Sequence, residues 1–269
     1  MNRYIFLIIF IMPFTRVHSG GWPQGKGEAF VKVNQYAIFA PWYFFGSGEI
    51  DVIPRSNYFS SSLYGEYGIT SKLTAVVYFP FFVRNTVATA GSINSLGDTD
   101  VALKYNIFAA GGWTSMAGVT LGIPLGRRAG GVSGLVQTGD GEYNQMLSFE
   151  LSRSLGNKGN GYMTLLTAYN HRTNGFSDEF RYGWEYGQKI KKIWIILRVY
   201  GVNSFKNKPD IFPYAYSIHN NYMEYLAISP EIVYEINEKV GLTGGAGFAA
   251  YGKRLLASPS WSLGAYMKF

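Results

Sequence analysis

The chain has 269 residues, no cysteine and a formal charge of +7. The missing thiols exclude disulfides, thiolate metal sites and cysteine nucleophiles, and the basic residues form no cluster of the kind that binds nucleic acid. Charged residues are only 15% and aromatics 17%, yet beyond the amino terminus no apolar run reaches the roughly 18 residues of a spanning helix.

The amino terminus comes first. Arg3 precedes an apolar run, Tyr4 to Phe14, and Val17-His18-Ser19 follows. A positive start, a short apolar core and small residues after it have the layout of a secretory signal peptide. Cleavage is expected after Ser19, so that residues 1–19 are removed and 20–269 form one domain.

Twelve period-two segments follow, separated by Gly, Asn, Ser and Asp. The first, 29–39, sets Val31, Val33, Ala37 and Phe39 against Lys32 and Asn34. The second is 59–69. The third sets Leu73, Ala75, Val77, Phe79 and Phe81 on one face. The fourth, 97–108, sets Val101, Leu103, Tyr105 and Ile107 against Asp98, Asp100 and Lys104. The fifth carries Ala117, Val119, Leu121 and Ile123. The sixth, 143–155, sets Leu147, Phe149 and Leu151 against Glu150. The seventh is 161–172, and its faces stay unassigned. The eighth, 180–190, opposes Tyr182, Trp184 and Tyr186 to Arg181, Glu185 and Lys189. The ninth, 193–202, opposes Ile195, Leu197 and Val199 to Arg198 and Tyr200. The tenth is 222–234, the eleventh 240–250, and the twelfth 257–269.

The segments whose faces are assigned each have one apolar and one wet face, and the count is even. Short links alternate with long ones, the longest being 40–58, 126–142 and 203–221. A single-chain transmembrane barrel has short periplasmic turns and longer outer loops. The expected fold is therefore all-β, an antiparallel up-and-down transmembrane barrel of about twelve strands. Phe269 ends the last strand at the periplasmic edge. Its expected role is closure against the first strand and recognition by the barrel-assembly machinery.

Pro80, Pro124, Pro230 and Pro259 fall inside expected strands, where each removes a ladder donor. Pro80, Pro124 and Pro259 fall in the outer halves of their strands, and two readings stay open there: a wall that frays or bulges at the rim, or a lateral opening for an apolar solute.

The wet face defines the candidate site. Lys32, Asp98, Asp100, Lys104, Glu150, Arg181, Glu185, Arg198 and Glu231 are expected to line the lumen, with Glu28 and Lys189. They form either a selective polar constriction or an ion-pair network that fills the barrel. Asp140 and Glu142 lie in a long loop, as solvated carboxylates or as a divalent-cation site. His171 and Thr173 share a face at the outer end of the seventh segment, where a base, a hydroxyl and an orienting amide, with Asn170 and Asn174 near in sequence, would be the set for acyl transfer. GFAAYGKR (247–254) has phosphate-loop spacing, but Arg254 stands where Ser or Thr is required, and no helix is expected there.

Four segments, SINSLGDTDVALKYNI (92–107), GVTLGIPLG (118–126), LVQTGDGEYNQ (135–145) and SPEIVYEINEKVGLTGG (229–245), occur in an order that resembles the outer-membrane transporter family named for a MetA pathway of phenol degradation. The resemblance implies a bacterial outer-membrane barrel that passes small hydrophobic or aromatic compounds, without catalytic residues or cofactor. Its partners would be outer-membrane lipids, the assembly machinery and a small apolar or aromatic solute. The alternatives are a non-transporting structural or adhesion barrel acting through its outer loops, and a lipid-modifying enzyme.

Overall fold

Strands that show apolar side chains to lipid must also pair every backbone group, because hydrocarbon offers no water to replace a lost hydrogen bond. A closed cylinder meets both demands. The computed structural model describes residues 21–156, 159–206 and 216–269. The expected signal peptide lies outside the described residues.

The strands are β1 (Ala29–Phe44), β2 (Ile50–Gly68), β3 (Leu73–Val87), β4 (Gly91–Ser95), β5 (Thr99–Ala110), β6 (Trp113–Ile123), β7 (Asn144–Leu155), β8 (Gly161–Arg172), β9 (Glu179–Ile190), β10 (Ile193–Ser204), β11 (Glu224–Glu235), β12 (Val240–Lys253), β13 (Leu255–Leu256) and β14 (Ser260–Lys268). Twelve of them form a continuous antiparallel wall. It closes where β14 pairs with β1, from Phe30 opposite Lys268 to Ile38 opposite Ser260. Phe269 extends the seam by exchanging backbone hydrogen bonds with Ala29 (2.9 and 3.3 Å). β4 is an extra strand on the outer half of β3, and β13 is a two-residue contact with β1.

The outward face carries Val33, Leu103, Val119, Leu147, Ile195, Leu242, Trp261 and Leu263, all exposed. Exposed aliphatics on every second position are what a lipid-facing wall requires.

The structure corrects the first outer loop. Residues 40–58 are mostly strand: β1 and β2 run on and turn at 45–49. Pro41 and Pro54 resemble breakers in the sequence. Both sit where the β1–β2 register skips, between the Ala40–Ser56 and Trp42–Val52 pairs. A bulge leaves a residue out of the ladder, so a proline there loses no pairing. The other prolines are also relieved. Pro80 lies at the β2–β3 register shift, and its carbonyl accepts Gly97 N–H at 2.8 Å. Pro230 falls in a gap of the β11–β12 ladder. Pro124 and Pro259 lie just outside β6 and β14.

Two outer segments fold down into the mouth. In the β6–β7 loop, Val136 is fully buried against Val87, Ala90 and Ile93. The Asn85 amide donates to the Gln137 carbonyl at 2.9 Å. Ahead of β11, the Asn220 amide donates to the Tyr43 hydroxyl at 2.6 Å, and Tyr216 packs on the Tyr43 ring.

Candidate functional site

The pleat sends alternate side chains inward, so the wet residues of neighbouring strands meet inside the cylinder. Lys32 of β1 pairs with Glu231 of β11 at 2.5 Å. The second Glu231 oxygen takes Arg198 of β10 at 2.5 Å. Arg198 also bonds Glu185 of β9, and Glu185 accepts the Tyr162 hydroxyl from β8. Across the lumen, Lys104 of β5 pairs with Glu150 of β7 at 2.6 Å. Glu66 of β2 accepts hydrogen bonds from Tyr64 and Gln24. Nearer the periplasm, Lys189 pairs with Glu235, which also accepts the Trp194 indole N–H at 3.1 Å.

Six of the expected residues thus form one belt: Lys32, Lys104, Glu150, Glu185, Arg198 and Glu231. The other three sit nearer the outer end. Arg181 is clamped by Glu179, two hydrogen bonds of 2.7 and 2.9 Å running to one carboxylate oxygen. Asp100 makes no ion pair among the described residues. Asp98 holds a loop rather than lining the open lumen: it accepts backbone N–H groups of Gly126 and Asp140 at 2.9 and 2.8 Å. Glu28 is a correction. It precedes β1 and is exposed.

The loop carboxylates are buried rather than solvated. Arg172, 3% exposed at its side chain, takes Asp140 at 2.9 Å, Glu179 at 2.8 Å, and Glu142. Asp140 and Glu142 are therefore committed to a guanidinium. Burial, with Asp140 adding to it, pushes the Asp98 carboxyl up to about 7. Burial also raises Glu142, to about 8, against the pull of Arg172. In the same region burial lowers His219 to about 4. His171 lies on the outward face, 3.0 Å from Asp178. The Thr173 oxygen accepts the Tyr143 N–H at 2.9 Å, and no hydrogen bond joins it to His171.

Two cavities of about 610 and 630 Å³ occupy the lumen. Tyr36, Glu185, Arg198, Ile218, Ser229, Gly247 and Ser260 border both, so they adjoin. Their other inward walls include Tyr58, Tyr64, Tyr78, Tyr162, Tyr200, Tyr225 and Ile196. Of the rings, the sequence placed Tyr200 on the wet face with Arg198 and missed the others. The signal was there for Tyr36, which shares parity with Lys32.

At the periplasmic end, residues 21–24 enter the barrel. Gln24 N–H donates to the Thr74 hydroxyl of β3 at 3.0 Å. Trp22 meets Tyr162 of β8 edge-on, ring centroids 5.6 Å apart.

The barrel fold is shared with solved outer-membrane proteins. The chain is similar to a solved outer-membrane channel from Pseudomonas putida F1, with 13% identity, coverage of 94% of this chain and 100% of that one, and a TM-score of 0.69. It is similar to the NanC porin, with 13% identity, coverage of 90% and 100%, and a TM-score of 0.52. The KdgM porin shares 8% identity over 88% and 99%, with a TM-score of 0.51. No family model and no curated protein matches the chain.

Proposed function

We propose that the protein is a passive outer-membrane channel for small apolar, chiefly aromatic molecules. One observation carries this reading: the lumen has volume, the charges of its belt are paired with one another, and the walls around them are rings and aliphatics interspersed with small neutral hydroxyls. Cavities of about 610 and 630 Å³ fall in the range of small-molecule sites, roughly 300–1,000 Å³. A path for anions would present free cations to the solute. Lys32, Lys104 and Arg198 each face a carboxylate instead. The four segments named above favour, as a finer assignment, the transporter family of the MetA phenol-degradation pathway. Export through a signal peptide cleaved after Ser19 and insertion by the barrel-assembly machinery belong to the same reading. An adhesion role is less favoured, because two outer segments are folded into the mouth rather than raised from it.

The test is entry into proteoliposomes whose outer leaflet contains lipopolysaccharide, which slows unaided permeation. The protein is expected to accelerate entry of a neutral aromatic dye several-fold and leave galacturonate entry unchanged. The opposite ranking overturns the reading.

A further inference from the structure

Residues 21–24 cross the lumen instead of lying along the wall. Their anchor at Gln24 is on β2 and β3, through Glu66 and Thr74. The other end rests on β7 and β8, three to five strands further round the wall. There Gly21 packs on the Ser152 hydroxyl and beside the Thr164 methyl, and the Ser152 and Thr164 hydroxyls are hydrogen-bonded at 2.9 Å. A Cβ on Gly21 would lie 1.7 Å from the Ser152 oxygen, so only glycine permits this approach.

Trp22 then fills a preformed aromatic niche. Tyr162, Trp194, Ile196 and Val233 form a buried cluster, and Trp22 packs against it. Tyr162 stands between two indoles, 5.6 Å from Trp22 and 5.7 Å from Trp194. It is held from two sides. Its hydroxyl is bonded to Glu185 of the belt, and its ring covers Gly187, where a Cβ would collide with it at 2.2 Å. A rigid ring with an open face is a better receptor than a mobile one, because little ordering is left to do on binding. Five of the six ionic-belt residues and Tyr162 border the cavities, so the niche lies on the interior path.

We infer that this niche is a binding subsite for a planar, uncharged aromatic ring, and that Trp22 occupies it as an intramolecular stopper that solute displaces. The inference rests on the transport reading for its purpose, but its binding test does not require transport. Edge-to-face contact and apolar burial supply the attraction. The tether supplies a high local concentration, so a free ring competes only when abundant or when the strap swings away.

The chain has no cysteine, so Thr164→Cys places one thiol under the strap. In the full-length reconstituted barrel, modification by a membrane-impermeant maleimide from the periplasmic side reports access. Trp22→Gly is expected to accelerate modification about tenfold, the scale set by one lost buried aromatic contact. Trp22→Phe, which keeps a ring, stays slow. Free indole at millimolar concentration then protects the thiol in the Trp22→Gly protein, and adding Tyr162→Ala abolishes that protection. Heat-modifiable migration confirms that each variant is folded. An unchanged rate in Trp22→Gly overturns the stopper, and acceleration without indole protection overturns the subsite. Protection by indole together with failed dye entry keeps the subsite and removes transport.

Discussion

Arg172 joins three carboxylates that come from two separate stretches of chain. Asp140 and Glu142 belong to the β6–β7 loop, and Glu179 begins β9. The guanidinium suits this work because its donors form a planar fork that serves several acceptors at once. Removing it leaves buried anions without a counter-ion, a change that costs about 3–5 kcal/mol in comparable buried pairs. Arg172→Met is therefore expected to free the loop. Limited proteolysis should cut at Arg127-Arg128 in the variant and spare the parent. Arg172→Lys should fall between them, since one ammonium cannot span all three partners. An uncut Arg172→Met loop would show that the apolar packing of Val136 suffices. The hub was not legible in the sequence. Arg172 ends a strand whose faces stayed unassigned, and its loop partners lie 30 and 32 residues away. Inward direction was legible for Lys32, Arg198 and Glu231, because parity is local. Their mutual pairing was not, because Lys32 and Glu231 are 199 residues apart.

The β6–β7 loop as a unit should respond to pH through Asp98. Its carboxyl rises from 3.8 to about 7 when the loop is clamped, and an open loop would return it toward the ordinary value. The clamped form thus holds a proton that the open form has lost across that interval. Linkage then favours clamping at low pH, and the advantage fades as pH rises through about 7. Glu142, raised for the same first reason, acts in the same direction. Asp140 supplies the repulsion, and Arg172 opposes it only at Glu142. Conductance in planar bilayers is expected to increase between about pH 5 and about pH 8, and Asp98→Asn should flatten the dependence. A rise of equal size in the variant would assign the effect elsewhere. The strands themselves were readable, since a period of two shows in any short window. The extended β1–β2 hairpin was hidden by Pro41 and Pro54, whose bulge only the register reveals. The infolding of the loop depends on contacts such as Asn85 with Gln137, which no local pattern announces.

Closure is a property of the whole chain, because the first strand cannot be satisfied until the last is made. Phe30 pairs with Lys268 at the seam, so the sheet stays open-edged through nearly all of synthesis. Such long-range pairing makes unassisted folding slow and leaves strand edges exposed. Phe269 sits at the end of this seam, 64% exposed as a residue, with its backbone bonded to Ala29. These two contributions can be separated. Deleting Phe269 removes both backbone bonds, each worth about 1 kcal/mol net. Phe269→Ala keeps them and removes only the ring. If closure alone matters, the deletion should lower the thermal midpoint slightly and Phe269→Ala should assemble normally. If the ring is the feature that the assembly machinery reads, both variants should reach the periplasm and both should yield less heat-modifiable barrel, although Phe269→Ala, once folded, melts close to the parent. The second pattern is expected, because an outward ring at the lip adds little packing to the finished cylinder yet remains reachable while the seam is open. Normal levels of folded Phe269→Ala in the outer-membrane fraction would remove the recognition role and leave Phe269 as the last rung of the ladder.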